Sequence, residues 1–308
     1  MPKALLDTIE APLVRTVTGS CTPSAVDGAV LPREHLRSDM RRAADAGSDP
    51  HRWLDEEQEV TRELCGLRQS DRLGLVVELS CIGMGRDVAT LARITAGSRV
   101  AVVAGTGFFS GPFTPSWALD ADVDTLTAHL LTEIEDGLDG TSIRPGVIGE
   151  IGIWGQEPTP ADKRCVAAAA RAALASGLPV ATHHRGGLAL LEILLDEGLP
   201  AHRVSVAGSG TDPSIPGKIV ESGGYVCLSS LGGDRLRQAL DLIEAGYAHR
   251  LLLSSGLSKV SEIERYGGAG YSHLFRTFLP RLRESGVSEE TIRLITHDNP
   301  LRWLSHLE

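Results

Sequence analysis

The chain has 308 residues, of which 42% are hydrophobic and 23% charged, with a formal net charge of −10. That length and apolar content can bury a full core, and the negative balance, with no local cluster of Lys or Arg set against it, excludes a nucleic-acid footprint. Five scattered cysteines without Cys-x-x-Cys spacing fit reduced thiols in a cytoplasmic setting. The opening MPKALLDTIEAP has too short an apolar run for a signal peptide, and no stretch approaches the roughly 20 apolar residues of a membrane span. The expected partner is a small-molecule substrate, with neither nucleic acid nor membrane, and a homodimer is left open.

In chain order, the first apolar run covers 28–32 and stops at Pro32 in AVLPREHL. Side chains two apart in extended chain point the same way, so Arg33 and His35 share one direction and Glu34 takes the other. Seven further short runs rich in β-branched residues follow at 74–79, 99–104, 146–151, 178–182, 203–207, 224–228 and 250–254. Amphipathic helical patterns lie between them. In the helix predicted over 160–177, Thr159 is the N-cap, Pro160 takes the first position and Gly177 ends the last turn; another is predicted over 122–138.

Strands of four to six mostly apolar residues read as buried on both faces, which calls for a parallel sheet covered by helices. Eight such units suit a (β/α)8 barrel, with a doubly wound open sheet as the competitor; no Gly-x-Gly-x-x-Gly follows the first strand to support the latter. In a barrel, chemistry collects at the C-terminal ends of the strands. Those ends carry Arg33 and His35, then Glu78 and Ser80, the turn 105–107, Glu150, and His183, His184 and Arg185. Gly208 and Ser209, Ser229 and Ser230, and Ser254, Ser255 and Gly256 complete the set.

TVTGSCTPSAVDGAVLPREHL, VVELSCIGMGRDVATLARIT, VVAGTGFF, GVIGEIG, LPVATHH, GYAHRLLLSSG and YGGAGYSHLFRTFLPRLRESGVSEETIRLITHDNP, in that order, resemble the phosphotriesterase-related family of the amidohydrolase superfamily. The resemblance covers nearly the whole chain. It implies an α/β (β/α)8 TIM barrel in a single domain over 1–308, with a short N-terminal β-hairpin extension. It also implies two divalent metals and hydrolysis of phosphotriesters, lactones or other esters. The matching positions depart sharply from the ligand pattern. His35, Glu150 and His183 match ligands, whereas Arg33 stands for the first histidine of His-x-His, Gly208 for the strand-6 histidine and Gly256 for the strand-8 aspartate.

A guanidinium cannot ligate and stays protonated, so no metal cofactor is expected; if one binds, it is a single zinc on His35, Glu150 and His183. Arg33 is instead placed to pair with Glu150 and to supply a fixed positive charge to a substrate carboxylate, enolate or oxyanion. The expected catalytic set is Arg33, His35, Glu150 and His183, suited to lyase, isomerase, cyclase or hydrolase chemistry. His184, Arg185, Phe108, Trp117, Ser209 and Ser255 are the expected substrate contacts. Two alternatives remain: a mono-zinc ester, lactone or amide hydrolase, and a catalytically dead binding or scaffold protein in which Arg33 and Glu150 plug the old centre. Arg86 and Asp87 are expected to brace the barrel end, and His273 to pack.

Overall fold

The computed structural model describes residues 12–41, 52–109, 111–155, 157–183, 188–208 and 212–305. Eight parallel strands form one sheet in sequential order: β1 (Ala29–Glu34), β2 (Leu73–Glu78), β3 (Ala101–Thr106), β4 (Val147–Gly152), β5 (Val180–His183), β6 (Val204–Ala207), β7 (Tyr225–Leu228) and β8 (Leu251–Leu253). Helices connect them, and the result is the expected TIM barrel. Every residue of β2 and β4 is buried, as strands covered on both faces must be. The N-terminal hairpin pairs Val14–Thr16 with Gly19–Cys21 in antiparallel register.

Two apolar layers hold the strands. Alternate side chains, among them Val30, Leu75, Val77, Val103, Val147, Tyr225 and Leu252, fill the barrel interior together with Leu301, Trp303 and Leu304 from the last helix. The intervening ones, such as Leu31, Val76, Val102 and Ile148, pack outward against the helices. The interior is therefore a packed core, and space for chemistry exists only at its mouth.

The predicted helix over 160–177 forms as Pro160–Ser176, with Gly177 left-handed at its end. Its capping box is complete: Thr159 accepts from the Asp162 amide at 3.1 Å, and the Asp162 carboxylate accepts from the Thr159 amide at 3.0 Å. Thr159→Ala should cost about 1 kcal/mol, seen as a lower urea midpoint at unchanged slope.

Two strands depart from simple alternation, and both departures build the site. β1 runs on past Pro32 to Glu34, two residues beyond the predicted end. Proline has no N–H to give, and pairing with β2 slips between Leu31 and Glu34, so the ring sits at a bulge where no ladder bond is lost. In β4 the register slips between Ile148 and Ile151, both of which pack outward. Strict alternation would send Glu150 outward with Ile148; the slip turns it into the mouth. Gly149 permits this, with φ near 150° and a backbone so close to β5 that a Cβ would lie 2.5 Å from the Ala181 carbonyl.

The seam between β8 and β1 is closed largely by one side chain. Glu34 turns away from Arg33 and accepts from Ser254 Oγ (2.7 Å), the Gly256 amide (2.8 Å) and the Leu257 amide (2.8 Å). The His35 amide donates to the Leu257 carbonyl at 3.0 Å, and the Arg33 amide to Ser254 Oγ at 3.0 Å. Strand 1 is thereby fixed at Arg33 and at the two residues that follow it.

Candidate active site

Four of the predicted residues converge at the C-terminal mouth. Arg33 Nη2 donates to the Glu150 carboxylate and Nη1 to Ser229 Oγ at 3.2 Å, with Arg33 7% and Glu150 3% exposed. Arg33 Nε, also buried, has no hydrogen-bond partner among the described residues. His35 feels the charges of Glu150, Arg33 and His183 together. Burial, reinforced by Arg33 and His183 and only partly opposed by Glu150, pushes its imidazole down to about 4, so it is neutral at ordinary pH. His183 closes β5, in register with Gly152 of β4 and Ala207 of β6.

The remaining expected contacts sort unevenly. His184, Arg185 and Ser209 lie outside the described residues. Phe108 is buried in the outer core and meets Trp117 edge-on at 5.7 Å. Trp117, 46% exposed, lines a rim cavity of about 500 Å³ with Arg37, Cys81, Arg86, His129 and Glu133. This cavity adjoins the cluster, because the Cys81 thiol reaches the Glu150 carbonyl at 3.1 Å. Ser255 spends its hydroxyl on the Tyr271 carbonyl (2.9 Å) and accepts from the Leu274 amide (3.2 Å), bracing the loop after β8.

Arg86 braces the barrel end as expected, pairing with Glu133 and Asp139, each at 2.7 Å. Asp87 instead caps helix Val88–Ser98 by accepting from the Thr90 amide at 3.0 Å. His273 Nε2 lies 3.1 Å from the Leu231 carbonyl, consistent with packing. A larger cavity, about 700 Å³, lies at the opposite end of the barrel between Gly28, Arg72 and His297, where the fold carries stability rather than chemistry.

Four participants go unassigned in the sequence. Ser229 was visible only as a polar strand end, yet it holds the second arm of Arg33. Glu34 was set aside as facing away, and it closes the barrel seam. Glu78 and Ser80 lie behind His35: Nδ1 is 2.9 Å from Ser80 Oγ and 4.0 Å from Glu78 Oε1. A carboxylate two residues before a serine at a strand end was the available signal. Burial pushes both Glu34 and Glu78 up to about 7 against the hydrogen bonds that favour their ionised forms.

The side chains present do not fit the dinuclear centre that the family resemblance implies. Arg33 brings a permanent cation to the first ligand position and occupies the bridging carboxylate. Gly208 and Gly256 supply no donor, and both have positive φ, 72° and 76°. A Cβ at 256 would stand 2.7 Å from the Ser230 amide nitrogen, so the loop is built around the missing side chain. Among the described residues, no three or more His, Cys, Asp or Glu side chains are arranged to hold an ion.

Comparison with known proteins places this geometry. The model of the phosphotriesterase family matches residues 12–304. The chain belongs to the phosphotriesterase family. It is 29% identical over 293 residues to the phosphotriesterase homology protein of Escherichia coli, spanning 90% of this chain and 97% of that one. A crystal structure of that relative, complexed with phosphate in its active site, superposes with a TM-score of 0.85 at 28% identity, covering 90% of this chain and 98% of that one. Human N-acetyltaurine hydrolase is 28% identical over 279 residues, covering 82% of this chain and 79% of that protein. A resiniferatoxin-binding protein from Rhodobacter sphaeroides superposes with a TM-score of 0.88 at 27% identity, covering 96% of this chain and 95% of that one. The architecture is that of a hydrolase-like barrel enzyme. Among the described residues no helix is long and apolar enough to cross a membrane.

Proposed function

We propose that this protein is a phosphotriesterase-family enzyme that acts on a small anionic, partly apolar metabolite by metal-free acid–base chemistry. The observation that carries the reading is Arg33 itself: a buried guanidinium at a ligand position, held on two arms by Glu150 and Ser229, with its Nε–H unspent among the described residues. A buried donor without an acceptor costs about 1–3 kcal/mol, a cost that a substrate oxygen would offset. Arg33 then does part of what a Lewis acid does, holding a carboxylate, sulfonate or developing oxyanion without exchanging a proton.

His35, neutral at ordinary pH, and His183 beside it supply the acid and base, and Glu150 fixes the guanidinium plane. Hydrolysis is the branch favoured by relatives named for that activity, such as N-acetyltaurine hydrolase. One imidazole takes a proton from water as it attacks the acyl carbon; Arg33 steadies the oxyanion; the proton passes to the leaving group. Carbon-acid chemistry, such as elimination, isomerisation or cyclisation, would use the same groups, with Arg33 on an enolate. The exposed Trp117 at the rim supplies an apolar contact beside the charged floor.

The test is elemental analysis of protein purified without added metal, with turnover of N-acetyltaurine, N-acetyl amino acids and aliphatic lactones followed before and after chelation. We expect substoichiometric metal, turnover of a panel member unchanged by chelator, and its loss in Arg33→Met. Two zinc ions per chain, or activity that disappears with a bound metal, would overturn the reading.

A further inference from the structure

His35 can act as a base through only one of its ring nitrogens, and the residues behind the ring determine which. We propose that Ser80 and Glu78 are positioning residues that fix the tautomer of His35: Nδ1–H donates to Ser80 Oγ, the Ser80 hydroxyl proton is directed to the Glu78 carboxylate, and Nε2 is left with its lone pair. This deepens the proposed function, since it rests on His35 acting as a base for its catalytic meaning, although the tautomer itself does not.

The geometry is a short line of side chains closed off from water. His35 is 2% exposed, and Ser80 and Glu78 are fully buried. His35 Nδ1 lies 2.9 Å from Ser80 Oγ, whereas Glu78 Oε1, at 4.0 Å from the same nitrogen, is too far for a direct bond. Ser80 is therefore the intermediary. The carboxylate is pinned from the backbone side, with Oε1 accepting from the Ser80 amide at 3.1 Å and the Leu36 amide at 3.3 Å. The Ser80 hydroxyl bears on the same carboxylate.

A serine hydroxyl has one proton and two lone pairs, and an ionised carboxylate only accepts. If Ser80 gave its proton to Nδ1, Glu78 would lose a donor while its Oε2 already has no partner among the described residues. Such a loss in a buried site biases the tautomer by about fivefold to a hundredfold. The proton order carboxylate, hydroxyl, Nδ1–H keeps the hydroxyl as a donor to the carboxylate and gives Nδ1–H an acceptor. The ring's other edge is then free of a proton, and the charges of Arg33, Glu150 and His183 act on that same ring.

Nitrogen-15 NMR of histidine-labelled protein at about pH 8 tests this, with the His35 signals identified by their absence in His35→Gln. The expected wild-type signature is a protonated Nδ1 and a bare Nε2. Ser80→Ala should lose it in favour of Nε2–H, Ser80→Thr should keep it, and Glu78→Gln, whose amide donates to the hydroxyl, should reverse the chain. A wild-type Nε2–H tautomer, or an Nδ1–H tautomer that survives in Ser80→Ala, would overturn the proposal; the wild-type spectrum decides even where a variant fails to fold. Turnover of the panel substrate should fall about 100-fold or more in Ser80→Ala and recover in Ser80→Thr. A tautomer change with turnover intact would uphold the assignment and instead remove His35 from the acid–base chemistry.

Discussion

Arg33→Ala should lower the unfolding free energy by about 3–5 kcal/mol, and the double variant Arg33→Met with Glu150→Leu should regain most of that loss without regaining turnover. Removing the guanidinium strands the Glu150 carboxylate, 3% exposed, without the charged partner it has in the fold. The double variant removes both charges and keeps similar volume, and a buried ion pair exchanged for packed apolar groups is often neutral in stability. Urea unfolding with turnover on the same samples separates two meanings of the pair. A stable double variant with no turnover makes the arginine catalytic. A stable double variant that still turns over makes the pair a plug in a disused centre, and the proposed function fails.

The layout of the barrel was readable because parallel strands buried on both faces must be short apolar runs; all eight strands fall within two or three residues of the predicted runs. The helix over 160–177 was equally plain, because its capping residues lie within a few positions of one another. The site was legible only in part. That Arg33 replaces a ligand follows from motif resemblance, since nothing local distinguishes it from a solvated arginine. That Glu150 faces inward could not be read from alternation, which gives the opposite answer; it depends on a register slip against β5, about 30 residues away in sequence. Ser229 lies 196 residues from Arg33, and Ser254 lies 220 from Glu34. Contacts of that range are set by barrel closure, and no window of sequence contains them. His184, Arg185 and Ser209 lie outside the described residues, so the sequence reading of them stands without a structural counterpart.

Stability should fall as pH rises from about 5 to 7, by about 3 kcal/mol, a trend opposite to ordinary acid denaturation. Glu34 and Glu78 hold their protons up to about 7 in the fold, against an ordinary value of 4.5. Between those values the folded chain binds more protons than the unfolded one, so each group's stabilising contribution, complete below 4.5, is lost as pH climbs through 7. His35 opposes them. Its folded value of about 4 lies below the ordinary 6.5, so it makes the folded chain bind fewer protons over most of the same interval. Two carboxyl groups against one imidazole leave a net excess of about one proton on the folded side, which sets the sign. Chemical unfolding at pH 5, 6, 7 and 8 measures the slope directly. Glu34→Gln should flatten it and lower stability throughout, because a carboxamide meets the Ser254, Gly256 and Leu257 donors with only one accepting oxygen. A stability that rises steadily from pH 5 to 8 would mean that the three donors at the barrel seam outweigh burial and keep Glu34 ionised, making the β1–β8 closure a permanent anion site rather than a protonated one.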